Sequence, residues 1–161
     1  MAHDGPGHLH YTTFEAFPMP AADIARALAA FPEVAGLAEP FLQQWALGAT
    51  TLRFRNLTAT VVLGDARETL ARWDGQADAW FLDGFSPAKN PELWSAEILD
   101  EVTRHTALGG TFATYTAAGH VRRALAEAGF AVVRQPGFGR KRHMTTGVFQ
   151  GSASASRMSP G

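Results

Sequence analysis

The stretch Asp78–Trp94, DAWFLDGFSPAKNPELW, decides the fold class. Ala79–Leu82 is an apolar run that closes on a lone acid, Asp83; a Gly84-Phe85-Ser86-Pro87 turn follows, and Asn90-Pro91 signals a helix start ahead of Trp94. Apolar run, acid, turn and helix, in that order, read as a buried strand leaving an α/β sheet at its carboxyl end, where ligands and chemistry collect. Asp83 stands at that end. An acid closing an apolar run must be faced by something polar, because burying an unpaired charge is costly.

The same pattern recurs outward along the chain. His8–Glu15 reads as a strand ending on an acid, and Ile24, Leu28 and Phe31 mark an amphipathic helix beyond Pro18 and Pro20. A second helix is expected over about Val34–Trp45, then a hairpin of Thr51–Arg55 and Thr58–Leu63 around Arg55-Asn56-Leu57. Gly64-Asp65-Ala66 closes the hairpin and opens a helix carrying Ala66, Leu70 and Trp73. After the opening stretch, Trp94, Ile98 and Val102 line a helix with Asn90 as N-cap, reaching about His105 and ended by Gly109-Gly110. Thr111–Thr116 is a strand, Val121, Leu125 and Ala128 a helix, and Phe130–Arg134 and His143–Phe149 are two final strands.

Strands alternating with helices predict an α/β fold with a mostly parallel sheet, and two closing strands without a helix between them predict an antiparallel edge hairpin. Rossmann-like methyltransferases finish in that way, a likeness of fold that assigns no function by itself. The expected domain covers residues 1–150, with the low-complexity 151–161, GSASASRMSPG, as a disordered tail or linker.

Composition narrows the chemistry. The 161 residues contain no cysteine, which excludes disulfides, thiolate zinc sites and cysteine nucleophiles. No apolar run approaches a membrane span of about 20 residues and MAHDGPGH is no signal peptide, so a soluble, cytoplasmic protein without a membrane partner is expected. The six histidines show no ligand spacing, and no metal site is expected. Charge is uneven: up to Gly110 there are 7 Lys/Arg against 14 Asp/Glu, and from Thr111 onward 7 Lys/Arg against Glu127 alone. The basic final third is either a solvated face or a surface for a polyanion such as RNA.

Several residues at strand ends suit a nucleoside. Glu15 is either a ribose-hydroxyl acceptor or an acid complementing a helix dipole. Asp65 either accepts from an adenine amine, with Ala66 offering its backbone N–H to the ring, or caps a helix. Asp83 is suited to orienting an amine nucleophile towards an electrophilic methyl group and taking up the proton released. Phe85 is placed to stack on a base or cofactor; Lys89 meets phosphate, pairs with Asp83 or is solvated. In the loop Gly137–His143, Phe138 and the cations Arg140, Lys141 and Arg142 combine stacking with phosphate contact, and Arg122 and Arg123 extend that surface.

FLDGFSPAKNPELW, GGTFATYTAAGHVRRALAEAGF, GFGRKRHM and the upstream FEAFPMPAADIARALAAFPEVAGLAEPFLQQW together resemble the methyltransferase domain of the MnmC/MnmD family, the tRNA 5-methylaminomethyl-2-thiouridine methyltransferases, over about His8–Phe149. The resemblance implies a Rossmann-like S-adenosylmethionine-dependent fold and methyl transfer to the aminomethyl nitrogen of a wobble uridine in tRNA. It implies Glu15 on the cofactor ribose, Asp65 and Ala66 on adenine, and Asp83, Gly84 and Phe85 facing methionine and the target amine. Lys89, Arg122, Arg123, Phe138 and Arg140–Arg142 would approach the tRNA. Longer relatives add a flavin-dependent oxidase domain, which is not expected in this polypeptide. The family's domain opens with a strand and a glycine-rich cofactor turn, and Gly5-Pro6-Gly7 lacks the flanking strand and helix to serve as that turn. The expectation is therefore a domain incomplete at its N-terminus, its first strand missing. The alternative function is an inactive remnant that binds tRNA or a protein through its basic C-terminal third.

Overall fold

The computed structural model describes residues 7–83, 89–116, 118–137, 139 and 143–151. They belong to two compact units, Met1–Thr69 and Leu70–Gly161.

In the first unit, strand β1 (Leu9–Glu15) is followed by helix α1 (Ala21–Leu28), a 3-10 turn (Pro32–Val34), helix α2 (Ala35–Ala46), and strands β2 (Thr51–Arg53) and β3 (Leu57–Leu63). The β-branched run in LTATVVL favours β3. β1 runs parallel to it in unbroken register from Leu9↔Leu57 to Glu15↔Leu63, and β2 pairs antiparallel on its other side. The expected hairpin forms tightly, with Phe54 N–H donating to Leu57 C=O at 2.8 Å. Gln44 of α2 closes the outer edge of β2, its carboxamide accepting from Arg53 N–H at 2.8 Å and donating to Arg53 C=O at 3.2 Å. That contact blunts an edge that would otherwise offer a free ladder. Among the described residues of this unit only Leu52 is fully buried.

Helix α3 (Ala66–Arg72) follows β3. In the second unit, strand β4 (Ala77–Phe81), a 3-10 turn (Pro91–Trp94), helix α4 (Ala96–Arg104), strand β5 (Thr106–Thr114), helix α5 (Gly119–Glu127) and strands β6 (Phe130–Pro136) and β7 (His143–Phe149) succeed one another. The sheet order is β4-β5-β7-β6, with β4 and β5 parallel and β7 antiparallel to both neighbours. The core is here: Trp94, Leu99, Phe112, Val121, Leu125, Phe130 and Phe149 pack into one cluster. Phe112 meets Phe130 edge to face at 5.2 Å, and Phe130 meets Phe149 at 5.1 Å. Gly147 lies under Phe112, where a Cβ would come within 2.3 Å of the ring.

Polar groups tie the end of α3 to the end of α4. The ring nitrogens of buried His105 lie 2.7 Å from Gly75 C=O and 3.1 Å from Leu70 C=O, and Arg104 donates to Ala71 C=O at 3.1 Å. Carbonyls left over at a helix C-terminus thus find partners. Trp73 stands 5.0 Å from the His105 ring, and Trp80 Nε1–H donates to Thr106 Oγ1 at 2.9 Å.

The α/β class and the antiparallel closing pair agree with the sequence, and four details differ. Parallel pairing is confined to β1–β3 and β4–β5, because the described strands fall in two sheets rather than one mostly parallel sheet. The helix expected from Asn90 starts at Ser95, whose extended backbone (ψ 159°) interrupts the turn at Pro91–Trp94 and whose Oγ accepts from Ile98 N–H at 3.4 Å. Gly109-Gly110 lies inside β5 instead of ending a helix: a step of two residues along β4, from Ala77 to Ala79, is matched by a step of five along β5, from Thr106 to Thr111, and the glycines absorb the excess as a bulge, Gly109 at φ +79°. Finally, β4 is largely exposed, with Phe81 78% accessible, and among the described residues it pairs with β5 alone. The residues 152–161 of the expected tail lie outside those described.

Candidate functional site

Two carboxylates stand at the carboxyl ends of neighbouring parallel strands. Glu15 is the last residue of β1, in register with Leu63, and Asp65 follows two residues later at the end of β3. Gly64 N–H donates to Glu15 C=O at 2.9 Å, which carries the parallel ladder to the turn. Gly64 has φ +128°, a conformation that disfavours a side chain, and a Cβ there would also meet Thr69 Cγ2 at 3.0 Å. The strand ends therefore expose backbone and two acids where a ligand can approach closely.

Each acid is oriented. Thr13, two residues back on the same face of β1, donates its hydroxyl to Glu15 Oε1 at 3.2 Å. The dipole-complementing role open to Glu15 belongs instead to Asp23, in the first turn of α1. Asp65 does cap α3: its Oδ1 accepts from Arg67 N–H at 2.9 Å, and its C=O accepts from Glu68 and Thr69 N–H at 3.0 and 2.9 Å. Arg67 Nε also donates to both carboxylate oxygens at 3.0 Å, and its Nη2 to Oδ2. These bonds to the Arg67 side chain, then to its N–H, hold the Asp65 carboxyl down from 3.8 to about 2.

A group whose value is depressed on folding contributes stability above its ordinary range that is lost as pH falls through the folded value. Asp65 should therefore remain ionised through pH 3 and titrate near pH 2, read from its carboxyl 13C shift. A midpoint at the ordinary 3.8 would show that the pairing with Arg67 does not persist in solution.

Asp83 lies two residues beyond β4, and its backbone N–H donates to Phe81 C=O at 2.9 Å. An acid closing an apolar run needs something polar to face it, and at Asp83 that includes solvent. Asp83 is exposed, because the strand that carries it is an exposed edge. Lys89 is exposed in a turn before Asn90. On α5, Val121 and Leu125 face the core, Arg123 is exposed, and Arg122 is half-buried with its Nε lacking a hydrogen-bond partner among the described residues. Trp94 is core, as its helical spacing suggests. Ala66 is the first residue of α3. Gly84, Phe85, Phe138, Arg140, Lys141 and Arg142 lie outside the described residues.

The structure thus brings together Glu15 and Asp65, the first unit's part of the expected set. Thr13 and Arg67, which orient them, escaped the sequence reading. Thr13 could have been found from period-two spacing on its strand; Arg67 sits at i+2 from Asp65, a separation at which residues inside a helix do not face each other. Among the described residues no group of three or more His, Asp or Glu side chains is arranged to hold a metal, and no helix is long and apolar enough to cross a membrane.

Two acceptors side by side match the donors of an adenosine, the ribose hydroxyls and the exocyclic amine, and so fit the nucleoside half of S-adenosylmethionine. Comparison with known proteins bears on the same point. The S-adenosyl-L-methionine-dependent methyltransferase family matches residues 32–150. The tRNA 5-methylaminomethyl-2-thiouridine biosynthesis bifunctional protein MnmC of Pseudomonas paraeruginosa is 48% identical over 152 residues, covering 91% of this chain and 23% of that protein. Its counterpart in Chromohalobacter salexigens is 47% identical over 143 residues, covering 86% of this chain and 20% of that protein. Among solved structures, MNMC2 from Aquifex aeolicus superimposes with a TM-score of 0.70 at 27% identity, over 89% of this chain and 45% of that one. The resemblance read from the motifs is therefore borne out over nearly the whole chain, which spans about a quarter of the length of the curated relatives it matches.

Proposed function

Because the chain belongs to the S-adenosyl-L-methionine-dependent methyltransferase family, we propose that it serves as a methyl-transfer domain acting on tRNA, at the aminomethyl nitrogen of 5-aminomethyl-2-thiouridine in the wobble position. The observation that carries the reading is the pair Glu15 and Asp65 at the ends of adjacent parallel strands, in a chain 48% identical to a protein of 5-methylaminomethyl-2-thiouridine biosynthesis. The domain is proposed as residues 1–150, with 151–161 as tail or linker, at work in the cytoplasm where tRNA is found.

Glu15 would accept the two ribose hydroxyls and Asp65 the adenine amine, with Ala66 N–H directed at the ring. Bound there, S-adenosylmethionine supplies an electrophilic methyl group. Asp83, with Gly84 and Phe85 beside it, would accept a hydrogen bond from the substrate amine, aim the nitrogen lone pair at that methyl carbon, and receive the proton after the new N–C bond forms and the C–S bond breaks. Lys89, Arg122, Arg123, Phe138 and Arg140–Arg142 would hold the tRNA by phosphate contact and stacking, a term that weakens steeply with salt.

The test is calorimetric titration with S-adenosylhomocysteine followed by transfer of labelled methyl to tRNA bearing the unmethylated aminomethyl group. Micromolar cofactor binding with label on the wobble uridine is expected. Salt-sensitive tRNA binding without cofactor affinity or transfer would replace the enzyme by the RNA-binding remnant.

A further inference from the structure

Asp65 is largely engaged before any ligand arrives: three N–H groups, one of them shared between both oxygens, already point at it. A carboxylate has about four acceptor positions. On Oδ1 the structure places Arg67 N–H at 2.9 Å and Arg67 Nε–H at 3.0 Å; on Oδ2 it places the same Nε–H at 3.0 Å and a guanidinium Nη2. One residue therefore supplies every hydrogen bond described at this carboxylate. The backbone bond belongs to the cap and survives any ligand, whereas the guanidinium bonds belong to a long side chain more than half exposed.

We propose that Arg67 is a latch on the purine end of the cofactor site, a positioning residue that competes with the ligand's amine for the Asp65 carboxylate and must swing away when the nucleoside binds. The inference rests on the reading of Asp65 as the amine acceptor and goes beyond it. The latch places a threshold on entry. A ligand lacking a donor at that edge of the purine cannot repay the lost ion pair and leaves the latch closed, whereas an adenine replaces one donor with another. Affinity and discrimination at this site are therefore set by a residue two positions from the acid. Because an exposed ion pair is screened by salt, the threshold falls as ionic strength rises, opposite in sign to the salt dependence of tRNA binding.

The experiment measures binding of S-adenosylhomocysteine and of its 6-deamino purine analogue, which carries hydrogen in place of the amine and has no donor at that edge, to the full chain and to its Arg67→Met and Arg67→Lys variants, at low and high salt. Arg67→Met should bind the adenosyl compound about two- to fivefold more tightly at low salt, the gain expected when an exposed ion pair no longer competes. Its affinity for the deamino compound should be unchanged, the gain should shrink with added salt, and Arg67→Lys, which keeps a point charge without the fork, should fall between. Equal or weaker adenosyl binding by Arg67→Met overturns the latch, as does an equal gain for both compounds. The Asp65 carboxyl 13C titration in both proteins separates this from failure of the underlying reading. A midpoint that does not rise in Arg67→Met shows that the pair is absent and the latch with it; a midpoint that rises while neither protein binds either nucleoside overturns the cofactor reading, and the proposal falls for that reason instead.

Discussion

Replacing Asp83 by Asn should lower methyl transfer by about 10²–10⁴-fold, the usual contribution of a positioned group that moves a proton in the reaction. The amide keeps the size of the carboxylate and still accepts a hydrogen bond through its oxygen, but it cannot take the proton that the alkylated amine releases, and its NH2 repels the donor it must face. The loss should fall on kcat, because the cofactor's nucleoside is assigned to Glu15 and Asp65, not to Asp83. Folding should lose less than about 1 kcal/mol, the most that an interaction of so exposed a residue contributes. Single-turnover transfer of labelled methyl to unmethylated tRNA, with circular dichroism as the folding control, reads both effects. A variant as fast as the parent would remove Asp83 from the chemistry.

Phe112→Ala should destabilise the protein by about 3–5 kcal/mol, the cost of emptying a well-packed aromatic position. Phe112 is 2% exposed, sits near the carboxyl end of β5, and is held between the ring of Phe130 and the bare backbone of Gly147. No neighbour can move into the space. β7 is clamped by β5 on one side and β6 on the other, and Gly147 offers no side chain. Urea unfolding monitored by tryptophan fluorescence measures the loss, with Phe17→Ala as the internal comparison. Phe17 is 93% exposed, so its removal should cost less than about 0.5 kcal/mol. A loss below 1 kcal/mol at Phe112 would show that the second unit's core is not packed as described.

Much of this was legible before any coordinates. The loosely alternating His8–Glu15 and the β-rich Thr58–Leu63 fall on strands, and the final pair Phe130–Arg134 and His143–Phe149 without an intervening helix marks the antiparallel closure. Glu15 and Asp65 stand out in the sequence because each is an acid where a β-rich run meets a turn, the place at which a carboxylate can reach a nucleoside. What escaped was decided by neighbours distant in sequence. Asn90-Pro91 has the chemistry of a helix start, yet Ser95 takes that role because its backbone turns extended and its hydroxyl reaches Ile98 N–H. Gly109-Gly110 looks like a helix stop, and only the opposing β4 shows that the pair is surplus length in a strand. The run Ala79–Leu82 has the composition of a buried strand, while exposure depends on what lies alongside it, which no local pattern encodes. Asp83 accordingly stands at the strand end as expected, on a strand that is exposed where the sequence reads it as buried.

Leu52 stands alone as the fully buried side chain among the described residues of Met1–Thr69, whereas the second unit holds an aromatic cluster. Local opening free energy follows buried contact, so amides of β1 and β3 should exchange with solvent deuterium well before those of β5 and β7. Both acids proposed for the nucleoside sit in that readily opened half, and a ligand that binds only the closed form lends it stability by mass action. Cofactor occupancy would then be visible as a regional slowing of deuterium uptake over residues 9–15 and 57–65, with uptake at residues 106–114 unchanged.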